Sequence, residues 1–345
     1  MAAIGNTLPT LIDVVSRMNP DGSIAKVVEA LQKRNPILND IPVYEANQAT
    51  GDIFSSRTAL PAPTYRKFNQ GVAPTKSTTE QVTEACAMLE AFSKVDCGLA
   101  ALNANELAFR ASEDNAFLQG FNIEIAQGIF YNSTTTSPEK FHGLSPRLAS
   151  TAGNVAASQI IKADPTASGS DQASIWLIGW GEDTVSGIYP RGHASAGFQS
   201  EDLGKQLTKD ANGNEFTAWV THYIWKFGLR VKDFRYLVRV ANIDTSAWKA
   251  DLSAGADIVS SMVDAVHTIY NTEGITPRFY MNRQVASMLN KQIASRGGND
   301  MLAWVDAEKA GIRGAGGLGT PLIQTFLGVP IRVTDALTNT EAVVS

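Results

Sequence analysis

The chain has 345 residues, of which 44% are hydrophobic and 18% charged, and its formal net charge is -5. A chain of this length can bury roughly three quarters of its extended surface, which supports a core divided over two or more modules. The negative charge excludes the basic surface of a dedicated duplex-binding protein, and the lack of an apolar run near the ~20 residues that cross a bilayer excludes a helical membrane span.

The first quarter of the chain is rich in proline. Seven of the fourteen prolines lie within residues 1–76, which predicts extended, loop-rich backbone. One short helix is predicted over residues 23–33, with Ser23 as its N-cap. Residues 41–82 are polar and have no apolar stripe, so we expect a long arm or hairpin that is buried against another subunit. Residues 82–96 fit a helix and a strand equally, and both alternatives stay open.

The clearest predicted helix covers residues 106–131. This stretch of 26 residues contains no proline, and Leu118, Phe121 and Ile125 are spaced for one helical face. Such a helix would be about 39 Å long. Residues 133–172 are rich in Ser, Thr, Ala, Gly and Pro without periodicity, and they predict a long loop.

Strands are predicted in the middle of the chain. The apolar run 175–180 and the segment 187–189 flank a short turn. The polar sequence Asp-Ala-Asn-Gly-Asn at residues 210–214 predicts a hairpin turn, with residues 216–223 as its return strand. Residues 229–240 alternate in hydrophobicity and predict one further strand.

The last third predicts an alternation of helices and strands, and hence the α+β class. Gly274 and Pro277 are suited to end the first of these helices, and Asn282 to cap the second. The predicted elements are a helix over residues 254–271, a strand over 278–281, a helix ending at 293, a helix over 301–309 and a strand over 326–333.

No motif in the sequence predicts catalysis. Residues 314–319 match G-x-G-x-x-G, but a dinucleotide fingerprint follows a strand and opens a helix, whereas here a predicted helix precedes and Thr-Pro follows. Ser195 lacks the glycine two positions earlier that a nucleophile elbow requires. Cys86 and Cys97 fit no metal spacing and are expected to be reduced thiols. We predict no catalytic, cofactor-binding or metal-binding residue.

Charge is distributed unevenly along the chain. Residues 225–239 carry a net charge of +4, with five basic side chains against one acidic. Residues 81–131 carry -5, with seven acidic side chains against two basic. Opposed patches on one chain are suited to self-assembly. For any single charge, ordinary helix or strand surface is the competing interpretation.

Several strings resemble a known family. Residues 71–79 (Gly-Val-Ala-Pro-Thr-Lys-Ser-Thr-Thr), 111–114 (Ala-Ser-Glu-Asp), 175–181 and 229–244 resemble the major capsid proteins of short-tailed phages of the epsilon-fifteen type. Residues 327–335 (Leu-Gly-Val-Pro-Ile-Arg-Val-Thr-Asp) are similar to a closing strand of the wider Hong Kong 97 capsid fold. The similarity extends over nearly the whole chain.

The resemblance implies a Hong Kong 97-like α+β capsid fold. Its parts would be an N-arm over residues 1–40, an extended E-loop over 41–98, a peripheral domain over 99–244 with the spine helix at 106–131 and β-strands, and a mainly axial domain over 245–345. The proline-rich first quarter would then lie across a neighbouring subunit.

The resemblance also implies a structural function without enzymatic activity or a cofactor. Copies would assemble as hexamers and pentamers into an icosahedral virion shell around double-stranded DNA, after synthesis in the host bacterial cytoplasm. Further implied partners are scaffolding, portal and cement proteins, and DNA that is contacted non-specifically. The candidate subunit contacts are Arg57, Arg66, Lys67 and Lys76 on the E-loop, and Glu113 and Asp114 on the spine helix of a neighbour.

Other functions remain open at this point. An encapsulin-like compartment would keep the fold and package an enzyme instead of DNA. A nucleotide-binding enzyme would use the glycine-rich loop at residues 314–319. Some members of the capsid fold also join Lys to Asn covalently, and Lys67 and Lys76 lie on the E-loop of this chain.

Overall fold

The computed structural model describes residues 35–101, 106–152, 155–193, 195–210, 213–246, 255–296, 302–306 and 322–345. Helices and strands are mixed along the chain, which confirms the predicted α+β class. Within these ranges the helices are α1 (Ile37–Asp40), α2 (Cys97–Ala101), α3 (Glu106–Tyr131), α4 (Ile258–Thr268) and α5 (Arg283–Arg296). The strands are β1 (Val43–Glu45), β2 (Gly51–Ala59), β3 (Thr78–Ala85), β4 (Ala87–Asp96), β5 (Ile160–Lys162), β6 (Gln172–Trp180), β7 (Val185–Tyr189), β8 (Phe198–Lys209), β9 (Glu215–Val231), β10 (Leu237–Asp244), β11 (Thr276–Met281), β12 (Leu302–Asp306), β13 (Leu322–Phe326) and β14 (Val329–Val333).

Most strands belong to one mixed sheet. Its order among the described residues is β12-β13-β14-β11-β6-β7-β9-β4, while β10 pairs with β6 and β5, β1 with β7, and β8 with β9. Strand β9 has 17 residues and pairs with β8 and β4 along its first part and with β7 at its end. It therefore joins an outer three-stranded part, β8-β9-β4, to the centre of the sheet. Strands β2 and β3 form a separate hairpin.

Strand β6 lies at the centre of the subunit and is buried along its whole length. Trp176, Ile178 and Trp180 enter one hydrophobic cluster, whereas Ile175 and Leu177 enter another. Side chains alternate between the two faces of a strand, so this continuous apolar run supplies both cores at once. The predicted strand over residues 175–180 is confirmed by β6.

A different helical layer covers each face of the central sheet. The C-terminal half of α3 contributes Ile125, Ile129 and Phe130 to the first cluster. Helices α4 and α5 cover the second cluster, with Met262 and Leu289 among its fully buried members. The side chain of Asn282 accepts a hydrogen bond from the Val285 N–H at 2.8 Å, which confirms it as the cap of α5.

Helix α3 begins and ends where the sequence predicts, at residues 106 and 131. Its N-terminal half lies on the outer part of the sheet, where Phe109 packs with Val95 and Ala100 in a third, small cluster. The hairpin predicted at residues 210–214 is also confirmed, because β8 and β9 pair as far as Lys209 and Glu215.

Two stretches near the start of the chain form more regular structure than their sequence indicates: residues 82–96, and the beginning of the arm predicted from residue 41. Residues 82–96 form strands, and the helical alternative is wrong. Ile41 is buried in the first core cluster, and β1 pairs in parallel with β7. Asp40 accepts two hydrogen bonds from Arg332, at 2.7 and 2.8 Å, which hold this segment to β14. Part of the predicted arm thus belongs to the body of the subunit.

Two predicted single strands are each divided by a turn. The strand predicted over residues 229–240 is wrong, because β9 ends at Val231 and the Asp233 side chain accepts the Arg235 N–H in a short turn before β10. The strand predicted over residues 326–333 is a hairpin. Leu327 and Gly328, with φ of 47° and 82°, form its two-residue loop. Positive φ at both central positions is typical of the type I′ turns that join paired strands.

The helix predicted over residues 301–309 is wrong, because Leu302–Asp306 is strand β12 and pairs with β13 over five residues. Pairing in a sheet overrides weak helix propensity over so short a segment. The predicted helix over residues 23–33 and the glycine-rich motif at 314–319 lie outside the described residues.

Candidate functional site

A two-stranded hairpin extends from the outer part of the sheet. Strands β2 and β3 pair from Gly51 opposite Ala85 to Ala59 opposite Thr78. The residues between them, 60–77, form no strand, and 60–76 are all exposed. We call residues 51–85 the projecting hairpin and residues 60–77 its tip.

The tip presents aromatic side chains to solvent. Tyr65 and Phe68 are 106% and 98% exposed, and Leu60 is 75% exposed. The N–H of Gln70 donates to the carbonyl oxygen of Lys67 at 3.2 Å, so the chain turns directly around Phe68. Large apolar side chains grouped on an exposed surface indicate an interaction site.

The same hairpin is basic over its tip and the end of β2 that leads to it. Its region from residue 57 to residue 76 contains four basic residues and no acidic one, a net charge of +4. All four are exposed, and they are the four basic contact candidates named from the sequence: Arg57, Arg66, Lys67 and Lys76.

A buried arginine holds one strand of the hairpin at its base. The Arg230 guanidinium donates to Asp52 Oδ2 at 2.8 Å, to the Glu182 carbonyl oxygen at 2.9 Å and to Ser186 Oγ at 3.2 Å. Both charged side chains are less than one tenth exposed. Strand β2 is therefore fixed to β9 and to the turn before β7.

A second buried arginine holds the other strand. Arg147 Nη1 and Nη2 donate to the two carboxylate oxygens of Glu84 at 2.5 and 2.7 Å. Arg147 also donates to the carbonyl oxygens of Gly143 and His142, both at 3.0 Å. A two-pronged arginine–carboxylate pair fixes orientation as well as distance.

These two ion pairs belong together, because Asp52 and Glu84 are directly opposite each other in the hairpin. Like charges at such a cross-strand pair repel. Arg230 and Arg147 come from different parts of the subunit and neutralise one carboxylate each. We call these four residues the base clamp.

The base clamp changes the interpretation of the charge pattern. Arg230 and Arg239 belong to the basic stretch and Glu84 to the acidic stretch that the sequence assigned to self-assembly, but all three are buried in pairs within one subunit. Sequence reasoning missed the clamp, because its partners are separated by 63 and 178 residues. Only charged side chains that are exposed on the subunit, above all those of the tip, can contact another subunit during assembly.

Replacing Gly51 with alanine is expected to lower the free energy of unfolding by about 1–3 kcal/mol. An added Cβ would lie 2.1 Å from the carbonyl oxygen of Glu84, a backbone atom of the paired strand, so the hairpin base would have to open. Chemical denaturation of the unassembled subunit measures the effect. Gly71→Ala is the matched control, since nothing lies within 4 Å of its added Cβ. Equal effects of the two substitutions would contradict this prediction.

Cys86 is the single residue between β3 and β4. Burial, and then the negative charge of Asp52, raises the pKa of its thiol to about 12. At pH 8 the thiolate fraction is then lowered by roughly three orders of magnitude relative to a free cysteine. We expect iodoacetamide to modify Cys86 correspondingly slowly in the folded subunit and rapidly in denaturant, as followed by peptide mass spectrometry. Equal rates in both states would contradict the raised pKa.

An apolar groove runs between β4 and α3, at the edge of the sheet. It has a volume of about 370 Å³. Its walls come from Leu89, Glu90 and Ala91 on β4 and from Ala116, Phe117, Gly120, Phe121 and Glu124 on α3. We call this the helix–strand groove.

Two exposed carboxylates lie at the helix–strand groove. Glu90 Oε1 is 2.5 Å from Nε2 of His222, and Glu124 Oε1 accepts from Lys140 Nζ at 3.0 Å. Their side chains are 37% and 48% exposed. A carboxylate accepts up to about four hydrogen bonds, so each has capacity for a further donor.

The acidic contact candidates Glu113 and Asp114 lie on α3, as predicted, and both are half-buried. Asp114 interacts with Tyr223 of β9. Burial first, and the charge and hydrogen bond of Asp114 next, raise the pKa of Tyr223 to about 12. The structure of one subunit does not bring Glu113 and Asp114 together with the basic residues of the tip, which are fully exposed.

Among the residues that the structure describes, no group of three or more His, Cys, Asp and Glu side chains is arranged to hold a metal ion. In the same part of the chain, no helix has both the length and the apolar character needed to cross a membrane.

Comparison with known proteins adds a family to this geometry. A family model described as major capsid protein GP7 matches residues 19–345. The chain is similar to a solved structure from bacteriophage epsilon15, with 36% identity and a TM-score of 0.75 over 100% of this chain and 99% of that one. It is more distantly similar to the capsid of bacteriophage JBD30, with 10% identity and a TM-score of 0.45 over 89% and 93% of the two chains. An encapsulin complex from Synechococcus elongatus matches with 11% identity and a TM-score of 0.41 over 71% and 94%. No curated protein matches the chain.

Proposed function

The chain belongs to the family of major capsid proteins described as GP7, and from this premise we propose how its copies build a shell. It is a bacteriophage capsid protein with the Hong Kong 97-like fold, a structural subunit that associates with its own copies in the icosahedral shell of the virion. We propose that these copies form hexamers and pentamers, and that the closed shell encloses double-stranded DNA.

The projecting hairpin carries this proposal. Its tip has no core of its own, exposes two aromatic rings and has a net charge of +3, so its surface is suited to lie on another subunit. In the proposed division of the chain, residues 1–40 are the N-arm, 99–244 the peripheral domain and 245–345 mainly the axial domain. Within the E-loop assigned to residues 41–98, the projecting hairpin is the part that reaches the neighbour, whereas β1 and β4 pair within the subunit's own sheet.

The proposed contact joins opposite charges. Arg57, Arg66, Lys67 and Lys76 of one copy face the acidic side of α3 on the next, which includes Glu113 and Asp114. Each exposed ion pair contributes only about 0–1 kcal/mol. The stability of the shell therefore comes from the buried area of each contact and from the number of copies.

Other partners complete the proposed particle. Packaged DNA is contacted non-specifically through phosphates, so this contact weakens as salt rises. Scaffolding, portal and cement proteins assist or complete the shell. The subunit is made in the cytoplasm of a host bacterium and becomes part of the virion.

Electron microscopy of the purified recombinant chain, with scaffolding protein where required, tests the proposal. We expect closed, capsid-like shells. A matched variant, in which a short glycine linker replaces residues 61–76, should fold as a subunit but fail to close shells. Monomers under all conditions of concentration, salt and scaffold would contradict the proposed function.

A further inference from the structure

We infer that the helix–strand groove of one copy receives Tyr65 and Phe68 from the hairpin tip of a second copy. This inference rests on the proposed shell function and assigns its anchor contact. The groove has apolar walls and a volume of about 370 Å³. A cavity of about 150 Å³ is sufficient to bind benzene, so the groove has room for two ring-sized groups. Buried aromatic anchors in a pocket are the typical centre of a protein interface.

Charge favours the same occupant. The tip sequence Tyr65-Arg66-Lys67-Phe68 places two cations between the two rings. The groove carries the exposed carboxylates of Glu90 and Glu124, each with capacity for another donor. Seating the rings would bring the cations of the tip to these carboxylates. The contact would therefore combine an apolar centre with a complementary charged rim.

The N-terminal segment of the chain is the competing occupant, and its composition disfavours it. Residues 1–34 contain four basic and three acidic residues, a net charge of only +1, and no Phe, Tyr or Trp. The tip has a net charge of +3 and two aromatic rings that are 106% and 98% exposed. A groove on one copy that takes a tip from another is a head-to-tail contact, the kind of contact that builds rings when the rotation between copies closes.

Gly120 permits a direct test of the groove. An added Cβ at this position meets no atom within 4 Å, and Gly120 lines the groove, so a larger side chain here is expected to occupy the space proposed for the rings. Gly120→Leu is expected to raise the subunit concentration needed for shell formation by at least about tenfold, as expected when a central contact is lost. Gly120→Ala is the matched control and should assemble as the unmodified chain does. Assembly of Gly120→Leu at the unmodified concentration, with unchanged thermal stability, would overturn the inference.

Disulfide trapping identifies the occupant. In a Cys97→Ser background, subunits with both Phe68→Cys and Gly120→Cys should give a ladder of linked copies on non-reducing gels of assembled shells. Either substitution alone should give single subunits, since Cys86 is poorly reactive. Shells without a ladder would overturn the inference and leave the proposed function intact. A ladder that forms with Leu11→Cys and Gly120→Cys, but not with Phe68→Cys and Gly120→Cys, would also overturn the inference and leave the proposed function intact, because residues 1–34 would then occupy the groove. Failure of every variant, and of the unmodified chain, to form shells would count against the proposed function itself.

Discussion

Replacing Arg147 with methionine is expected to lower the free energy of unfolding of the subunit by about 3–5 kcal/mol. The substitution leaves the Glu84 carboxylate buried without its cation, since the two side chains are only 7% and 5% exposed. It also removes the donors to two backbone carbonyl oxygens, at His142 and Gly143. The base of the projecting hairpin then loses one of the two buried ion pairs that hold it, so shell formation should fall together with stability.

A double-mutant cycle separates the ion pair from general damage. Glu84→Leu alone should be about as destabilising as Arg147→Met, because each leaves one buried charge unpaired. The double variant has neither charge and should recover most of the loss, giving a coupling energy of about 3 kcal/mol. Urea denaturation of the unassembled subunit measures all four states. Arg57→Met, on the exposed part of the same hairpin, is the control and should change stability little. Strictly additive single effects would show that the pair is not coupled.

Replacing Glu341 with alanine is expected to cost about 3–5 kcal/mol and to release the C-terminal segment. Glu341 accepts from Arg239 Nη2 at 2.8 Å and from the Tyr131 hydroxyl at 2.6 Å, and it also bonds to Ser174. Arg239 is 3% exposed and would remain as a buried, unpaired cation. The substitution therefore affects the central sheet, the end of α3 and the C-terminal segment at once.

Hydrogen exchange and chemical denaturation together test the effect of Glu341→Ala. We expect rapid exchange in residues 334–345 of Glu341→Ala, along with a lower unfolding midpoint. Thr340→Ala changes the exposed neighbour and should leave both measurements unchanged. If the C-terminal segment of Glu341→Ala stays protected, the other contacts hold it: Asn242 with Val344, and Thr151 with Ser345.

Local patterns predicted the elements whose signals lie within a few residues. Helix α3 follows from a proline-free run with apolar residues on one face, and β6 from a continuous apolar run that fills two cores. The hairpin at residues 210–214 follows from turn chemistry alone. Strand β12 could not be predicted in this way, because its identity depends on pairing with β13 across an intervening stretch of chain.

The candidate site could be predicted only in part. Composition showed that the tip is basic and lacks a core, and the structure leaves its three basic residues, and Arg57 on the adjoining strand β2, exposed. The groove could not be found in the sequence, because it exists only where β4 and α3 lie side by side. The sequence around Arg230 and Glu84 does not indicate that these side chains are buried, because the partners that pair with them lie far away in the chain. Net charge over a stretch therefore overstates the charge available at its surface.

The attachment of the projecting hairpin has a mechanical consequence. Strands β2 and β3 form an arm that is about 30 Å long, from the nine residues of β2, and that is anchored at one end, where Cys86 alone separates β3 from β4. For an arm of that length, a rotation of about 10° at the anchor displaces the far end by about 5 Å. The hairpin can thus act as a lever, so that small adjustments near Asp52 and Glu84 would be amplified at the tip, where the proposed contact with a neighbour lies. In the proposed shell, subunits with the same interior would in this way span unequal distances between adjacent positions on a curved surface.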